Sequence, residues 1–273
     1  MRYFDKMKAK IRKYFGLFML LACVLMSYSV LYEPYTLRIT EYKIPNKKLS
    51  GLKIVFAADF HIAPYTWEKR RLQKITDTIN EQNADLVILG GDYVNRHTQD
   101  SSLPPQQIVD ELKKIKPPLI VVLGNHDSYY GKGAVKKAFE NADIPVLDNQ
   151  NVKFSIKGKQ FFVVGVADCY TDTPNIKTAL KNVDKPIIFV AHSPDSFDGL
   201  NGVAEIGFAG HTHGGQIVLP FLGALYVPNH KRKDYAAGLF YEYNKPLIVT
   251  SGLGTSIVPM RFNNRPEIVS VTF

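Results

Sequence analysis

The chain has 273 residues, of which 45% are hydrophobic and 22% are charged, and its formal net charge is +9. This composition is that of a folded protein, and it excludes a mainly disordered, collagen-like or coiled-coil chain. Two cysteines, Cys23 and Cys169, are too few for a disulfide framework or a zinc finger, so cysteine content does not indicate a redox compartment.

Most of the positive charge lies at the start of the chain. Residues 1–14 contain six basic side chains and one acidic side chain, a net charge of +5, which leaves +4 for the other 259 residues. A short basic segment before an apolar run is typical of membrane orientation signals rather than of DNA binding. We therefore expect no nucleic-acid partner, and the small charge of the remainder argues against a nuclease.

Residues 15–32 form the apolar run, 18 residues without a charged side chain. As a helix this run would be roughly 27 Å long, close to the thickness of the hydrocarbon core of a bilayer. We expect an uncleaved single-pass anchor in the cell membrane, with residues 1–14 in the cytoplasm and the rest of the chain outside it. Three alternatives stay open: a cleaved signal peptide, a lipoprotein signal ending at Cys23, and a buried core helix.

The remaining chain reads as a layered α/β protein. Residues 33–51 are predicted to hold a linker and a first strand, because residues 36–44 alternate apolar and polar side chains. Between residues 52 and 150, buried strands alternate with helices near 67–83, 106–114 and 134–141, which indicates a sheet with helices outside. Beyond residue 150 short strands dominate, and we expect all of them in a second sheet. The sum is a four-layer α/β/β/α sandwich over residues 52–273.

Five of the predicted strands end in side chains that bind metal ions. Ligand sites in open α/β sheets form beyond the carboxyl ends of strands, so these five loops can converge. One carboxylate can bridge two divalent cations about 3.5 to 4 Å apart, and Asp92 is the candidate bridge. Imidazole, carboxylate and amide ligands together suit manganese, with iron, zinc or magnesium as alternatives. The loops are Asp59-Phe60-His61, Gly90-Gly91-Asp92, Gly124-Asn125-His126-Asp127, Ala191-His192 and Gly210-His211-Thr212-His213.

In this order the five loops resemble the motifs of the calcineurin-like metallophosphoesterase superfamily, over about residues 52–215. The resemblance implies two divalent metal ions and hydrolysis of a phosphoester bond. It also implies that His126 contacts the phosphoryl oxygen and protonates the leaving group, with Asp127 orienting His126. The implied ligands are Asp59, His61, Asp92 and His213 for one metal, and Asp92, Asn125, His192 and His211 for the other.

The order of anchor, strand and catalytic domain resembles the bacterial membrane-anchored branch of this superfamily. Some members of that branch act as UDP-2,3-diacylglucosamine pyrophosphatases in lipid A assembly, and others look like exported, wall-associated phosphodiesterases. We therefore expect cleavage of a phosphodiester or pyrophosphate bond, with a lipid-linked or nucleotide-sugar phosphoester as the substrate. A scaffold protein without catalysis is the alternative from another class, but none of the motif positions is lost.

Two segments bear on the substrate. Residues 219–228 are apolar and could dock acyl chains beside a bilayer, or they could fill the core. Arg232, Arg261 and Arg265 could bind a diphosphate, although a solvated loop is the alternative for the basic residues 230–233. The charge distribution places the domain outside the cytoplasm, whereas a nucleotide-sugar substrate is expected on the cytoplasmic side.

Overall fold

The structure is a computed structural model that describes residues 2–95, 99–229 and 234–273. Its first helix, α1 (Arg2–Ser27), continues through a π-helical turn (Tyr28–Tyr32) into a 3-10 turn (Glu33–Tyr35). Within the described chain, one segment, Phe4–Tyr35, is long and apolar enough to cross a membrane. This segment is exposed along nearly all of its length, so it is not a core helix of the globular domain.

The globular domain contains 13 strands and four further α-helices among the described residues. The helices are α2 (Thr66–Glu81), α3 (Pro105–Leu112), α4 (Asn125–Glu140) and α5 (Ile176–Ala179). The strands are β1 (Arg38–Lys43), β2 (Lys53–Ala57), β3 (Leu86–Leu89), β4 (Leu119–Val121), β5 (Gln150–Ile156), β6 (Lys159–Gly165), β7 (Ile187–Val190), β8 (Ile206–Ala209), β9 (Val218–Leu219), β10 (Gly223–Ala224), β11 (Gly238–Glu242), β12 (Lys245–Val249) and β13 (Glu267–Thr272).

The strands form two main sheets and one ribbon. The first sheet has the order β1-β13-β2-β3-β4, the second has the order β11-β12-β8-β7-β6-β5, and β9 pairs with β10. Strands β2, β3 and β4 are parallel to one another, as are β6, β7, β8 and β12. The prediction that all strands beyond residue 150 join the second sheet is wrong for β13, which lies in the first sheet between β1 and β2.

The sheets pack face to face between helical layers, which confirms the α/β/β/α sandwich. Along β2, Ile54 and Phe56 point into the core between the sheets, and Val55 and Ala57 point into the core beneath the helices. This alternation follows from the two-residue period of a strand. Helices α2, α3 and α4 cover the first sheet. The second sheet has a thinner cover of α5 and a 3-10 turn, Pro194–Phe197.

Helix α4 begins earlier than its sequence indicates. The prediction placed a helix at residues 134–141, whereas the structure starts it at Asn125, directly after β4. The helix is interrupted at Gly131, which has a positive φ of 137°. Residues 125–133 contain two glycines and little apolar periodicity, so no helical pattern is visible there. The early start places Asn125 and His126 in the first turn of α4.

The end of the membrane-length segment is bound to the globular domain. The carbonyl of Ser29 accepts a hydrogen bond from the Arg261 backbone N–H at 2.9 Å. The buried carboxylate of Glu33 accepts hydrogen bonds from the backbone N–H groups of Asn263 and Asn264, at 2.9 and 2.5 Å. Hydrogen bonds to a charged group contribute about 1.5 to 3 kcal/mol each. Glu33 therefore fixes the segment to the loop that precedes β13.

Candidate metal centre

The seven predicted metal-binding side chains lie together at one end of the two sheets. Each follows the carboxyl end of a strand, and the strands that carry them run parallel within their own sheets. Parallel strands bring their carboxyl ends to the same sheet edge. The side chains are Asp59 and His61 after β2, Asp92 after β3, Asn125 after β4, His192 after β7, and His211 and His213 after β8.

One group of ligand atoms comes from Asp59, His61 and His213. Their ligand atoms all lie within 4.8 Å of one another. The Nε2 atoms of His61 and His213 are 3.1 Å apart, and His213 Nε2 is 3.9 Å from Asp59 Oδ1. The three side chains are buried. This spacing allows one cation to contact all three.

A second group comes from Asn125, His192 and His211. The Oδ1 atom of Asn125 lies 3.1 Å from His192 Nε2 and 3.0 Å from His211 Nδ1. The two histidine nitrogens are themselves 3.3 Å apart. An amide oxygen and two imidazole nitrogens thus face a common point, as ligands of a second cation would.

Asp92 lies between the two groups. Its Oδ2 atom is 3.5 Å from His61 Nε2 and 3.3 Å from His192 Nε2. Its Oδ1 atom accepts a hydrogen bond from the backbone N–H of His126 at 2.8 Å. The carboxylate therefore touches both groups, as a bridging ligand must.

Three histidines are held by backbone carbonyls on the side away from the centre. His61 Nδ1 is 3.2 Å from the Asn95 carbonyl, His192 Nδ1 is 2.8 Å from the Gly90 carbonyl, and His211 Nε2 is 2.8 Å from the Pro228 carbonyl. A carbonyl only accepts, so these nitrogens carry the proton. The opposite nitrogen of each ring then presents its lone pair to the centre, the usual arrangement for metal-binding histidine.

Burial sets the charge of these rings and carboxylates, because a charged group loses its hydration there. Burial, with a smaller contribution from neighbouring histidines, lowers the pKa of His61 to about 3 and that of His211 to about 3. Burial raises the pKa of Asp59 to about 7. Burial would also raise the pKa of Asp92, but His192 and His126 outweigh it and hold that pKa well below its usual range. Burial would also lower the pKa of His192, but Asp92 outweighs it and raises that pKa well above its usual range. The centre thus offers imidazole, amide and carboxylate donors, a set that fits manganese, iron or zinc.

The backbone around the centre leaves no room for a side chain at several glycines, among them Gly124 and Gly252. A Cβ on Gly124 would lie 2.2 Å from Asp92 Oδ1 and 2.7 Å from His192 Cε1. A Cβ on Gly252, which has a φ of +71°, would lie 2.6 Å from Asp59 Oδ2. Five of the candidate ligands also have left-handed backbone conformations, which cost free energy and concentrate at functional sites. They are Asp59, His61, Asp92, His211 and His213.

His126 and Asp127 lie side by side in the first turn of α4 but point in different directions. His126 Nδ1 is 2.9 Å from the Asn95 carbonyl, and His126 Nε2 is 3.5 Å from Ser256 Oγ. The resemblance implied that Asp127 orients His126, but the Asp127 carboxylate contacts backbone N–H groups instead. That carboxylate accepts hydrogen bonds from the backbone N–H groups of Gly124, Asp92 and Tyr93 at 2.8 to 2.9 Å. Asp127 therefore positions the turn that carries Asp92.

Two of the three arginines predicted to bind substrate donate to backbone carbonyls, and the third lies outside the described residues. Arg261 is fully buried, and its guanidinium donates to the carbonyls of Ser251, Gly252, Gly254 and Asn264. Burial removes Arg261 from a dissolved substrate, so the structure corrects that expectation. Arg265 donates to the carbonyls of Thr36 and Leu37. Arg232 lies outside the described residues.

Two positioning residues carry no motif in the sequence. Arg71 of α2 pairs with Glu68 and donates to the carbonyls of Phe60 and Leu253, so it ties the first metal loop to the loop after β12. Asn264 donates to the carbonyl of His213 at 2.6 Å. The only sequence signal for Arg71 is its place on the helix that follows the Asp59 loop.

Two cavities adjoin the centre. The first, here called the active-site cavity, has a volume of about 400 Å³. Candidate metal ligands and His126 form one wall, and its apolar wall consists of Ile217, Leu225, Tyr226, Ile257 and Val258. The second cavity, of about 380 Å³, reaches His61 and Asn95 and is lined at its outer end by Pro34, Tyr35, Tyr65 and Trp67.

Comparison with known proteins identifies the family of the chain. The family described as calcineurin-like phosphoesterase matches residues 52–225, which include the seven candidate ligands. The chain belongs to the calcineurin-like phosphoesterase family. Calcineurin-like phosphoesterases are phosphoester hydrolases that use two divalent metal ions, so this chain is an enzyme of that class.

Relatives cover most of the chain. Metallophosphoesterase YkuE of Bacillus subtilis (strain 168) is 28% identical over 251 residues, which cover 88% of this chain and 86% of YkuE. Phosphodiesterase YaeI of Escherichia coli (strain K12) is 32% identical over 225 residues, which cover 79% of this chain and 80% of YaeI. The crystal structure of TT1561 from Thermus thermophilus superposes with a TM-score of 0.50 and 13% identity, covering 74% of this chain and 90% of TT1561. That likeness shows that the two chains share a fold.

Proposed function

We propose that the protein is a membrane-anchored phosphohydrolase that cleaves a phosphodiester or pyrophosphate bond in a lipid-linked substrate. Asp59, His61, Asp92 and His213 would hold one divalent cation, and Asp92, Asn125, His192 and His211 would hold the other. The anchor would be residues 15–32 within α1 and the turns that follow it. The observation that carries the proposal is the active-site cavity, which joins the metal-binding side chains to an apolar wall.

The chemistry divides between the cations and the side chains of the protein. Two divalent cations held by these residues would neutralise charge on the phosphoryl oxygens and lower the pKa of a water molecule. Hydrolysis forms a bond from a water oxygen to phosphorus and breaks the bond from phosphorus to the leaving oxygen. Protonated His126 would donate from Nδ1 to the Asn95 carbonyl and give its Nε2 proton to that leaving oxygen.

The shape of the cavity favours a substrate with a charged and an apolar part. Its polar wall suits the phosphoryl group, and the apolar wall formed by Leu225, Tyr226 and Ile257 suits acyl chains. UDP-2,3-diacylglucosamine, the lipid A precursor, has both parts. The alternative is an exported, wall-associated phosphodiesterase. The basic residues 1–14 favour it, because a basic segment before a membrane span predicts that the rest of the chain lies outside the cytoplasm.

Hydrolysis of an aryl phosphodiester with manganese tests the catalytic assignment. We expect the His126→Ala variant to lose at least about 100-fold in rate, because general acid catalysis contributes about 100-fold to 10,000-fold. The Lys137→Ala variant on the exposed face of the same helix is the matched control. Equal rates in the two variants would remove His126 from the mechanism.

Product analysis tests the substrate class. The full-length protein in detergent would be given UDP-2,3-diacylglucosamine and, separately, UDP-N-acetylglucosamine, which lacks the acyl chains. We expect release of UMP from the acylated substrate to be at least about tenfold faster, since burying a few methylene groups is worth that much. Equal rates would favour the wall-associated phosphodiesterase.

A further inference from the structure

We infer that exposed apolar side chains around the active-site cavity form a docking surface for the lipid bilayer, so that the cavity opens at the membrane surface. The inference rests on the proposed anchoring by α1, and it deepens the proposed function by naming the surface on which the site works. The lipid-docking rim, as we call this surface, consists of Tyr65, Trp67, Phe221, Leu222, Leu225 and Ile257.

Exposed apolar side chains are concentrated in this one region. Outside Phe4–Tyr35, the described residues include twelve large apolar side chains that are exposed. Seven of them line the two cavities beside the centre, and two more, Phe221 and Leu222, lie at the turn of the adjoining β9-β10 ribbon. The other three are Ile39, Tyr241 and Tyr243. Phe221, Leu222 and Ile257 are more than 75% exposed. Soluble domains seldom expose so many apolar side chains in one patch, and such patches mark interaction sites.

Three separate segments contribute to the lipid-docking rim. Tyr65 and Trp67 stack on each other with ring centroids 4.5 Å apart. Phe221 and Leu222 lie at the turn between β9 and β10, and Ile257 lies in the loop after β12. Gln216 joins the last two segments, because its side chain donates to the Val258 carbonyl at 2.7 Å and accepts from the Ser256 N–H at 2.8 Å.

The lipid-docking rim begins where the membrane-length segment ends. Tyr35 and Pro34 line the same cavity as Trp67, Tyr65 and Ile257. The β9-β10 ribbon is linked to the same segment through two neighbouring residues. Ile217, at the base of the ribbon, pairs with Phe262. The residue before it, Arg261, donates its backbone N–H to the carbonyl of Ser29. A bilayer crossed by Phe4–Tyr35 therefore ends beside these side chains.

The chemistry of the lipid-docking rim matches a bilayer interface. Tyrosine and tryptophan prefer the headgroup level, where a ring is partly in hydrocarbon and its polar atom is in water. Phe221 and Leu222 project from a turn and are almost fully exposed, as side chains that enter the acyl region would be. A bilayer is therefore the occupant that these observations favour over a second copy of the chain.

The fluorescence of Trp67 tests this inference directly, because Trp67 is the single tryptophan of the chain. The full-length protein would be placed, one chain per disc, in nanodiscs of palmitoyl-oleoyl phosphatidylglycerol, with or without bromine on the upper acyl chain. We expect bromine to quench Trp67, since interfacial side chains lie about 5 to 10 Å into the headgroup and acyl boundary. The control variant combines Trp67→Phe with Tyr243→Trp. Residue 243 precedes β12, whereas the centre lies beyond the other end of that strand, roughly 20 Å away. The tryptophan at position 243 should not be quenched.

A second pair of variants tests the contribution of the β9-β10 turn. Phe221→Ser with Leu222→Ser should reduce Trp67 quenching, and it should lower hydrolysis of a phosphodiester lipid in the same nanodiscs by at least about tenfold. Hydrolysis of a soluble aryl phosphodiester should stay unchanged, because these side chains do not line the active-site cavity. Tyr241→Ser with Tyr243→Ser is the matched control and should alter neither rate.

The outcomes separate this inference from the anchoring on which it rests. A chain that enters the nanodisc but leaves Trp67 unquenched would overturn the docking surface while keeping the anchor. A chain that does not enter the nanodisc would overturn both. In nanodiscs prepared with two chains each, contact between the chains through this surface, with Trp67 unquenched, would show that the surface binds a second copy instead.

Discussion

The Nε2 atoms of His61 and His213 face each other at 3.1 Å inside the protein. Burial lowers the pKa of both rings, so neither carries a positive charge at pH 7. The other nitrogen of His61, Nδ1, donates a hydrogen bond to the Asn95 carbonyl, which leaves a lone pair on Nε2. A lone pair directed at a neighbouring imidazole nitrogen favours a cation shared by the two rings.

Replacing His213 with alanine should therefore remove one metal ion. We expect bound manganese to fall from about two ions to about one per chain. The rate of hydrolysis of an aryl phosphodiester should fall by at least about 100-fold. Even mutation of a residue that only supports a ligand lowers metal affinity or activity by about 10-fold to 100-fold. Elemental analysis of the purified protein measures the metal content. The control is His126→Ala, which should lose activity and keep both ions; two ions in His213→Ala would contradict the assignment.

Gly124→Ala should damage the centre while the fold persists. The added Cβ would lie 2.2 Å from Asp92 Oδ1, so Asp92 must move away from its position between the two groups of ligands. We expect weaker manganese binding by titration calorimetry and a rate that falls by at least about tenfold. Gly133→Ala in α4 is the matched control, because its Cβ meets nothing within 4 Å. That change should raise stability by about 0.5 to 1 kcal/mol.

Asp127→Asn should lower stability as well as activity. The carboxylate accepts three backbone hydrogen bonds of 2.8 to 2.9 Å, and an amide would direct its own N–H groups toward some of those donors. We expect a loss of about 1 to 3 kcal/mol in the free energy of unfolding, measured by urea denaturation. Exposed Asp143→Asn is the control. Full stability with reduced activity alone would instead support a role of Asp127 in orienting His126.

Glu205 should make stability depend on pH in acid. Burial opposes its charge, but Lys48, Lys245 and Asn46 donate to its carboxylate and lower its pKa from 4.5 to about 2. The unfolded chain then takes up this proton at higher pH than the folded chain, so stability is lost as pH falls from 4.5 to about 2. Thermal unfolding across that range should show a smaller slope in Glu205→Gln. Glu111→Gln, in an exposed pair with Lys114, should leave the slope unchanged.

The convergence of the candidate metal ligands could be predicted because each follows a buried strand. Asp59, Asp92 and His192 need only the strand that precedes them and the rule that parallel strands share a carboxyl edge. Chain order does not state which sheet a strand joins. The sequence of β13 has the apolar pattern of a buried strand in either sheet, so its place between β1 and β2 could not be predicted.

The roles of the arginines and of Asp127 depend on directions that a sequence does not record. Arg261 follows the apolar segment 257–260 in a loop, and nothing in its neighbours shows that four carbonyls surround its guanidinium. Asp127 and His126 are adjacent in α4, yet successive helical residues point about 100° apart. Adjacency in the motif therefore suggested a contact that the helix does not make.

The position of β13 couples distant parts of the chain during folding. Among the described strands, β1 pairs only with β13, and β13 also pairs with β2, whose end leads to Asp59. The partners in these pairs are separated by more than 200 residues, and contacts of such large sequence separation form slowly because long loops must close first. The turn that carries Asp59 therefore reaches its final structure only after the ribosome has synthesised β13, near residue 270.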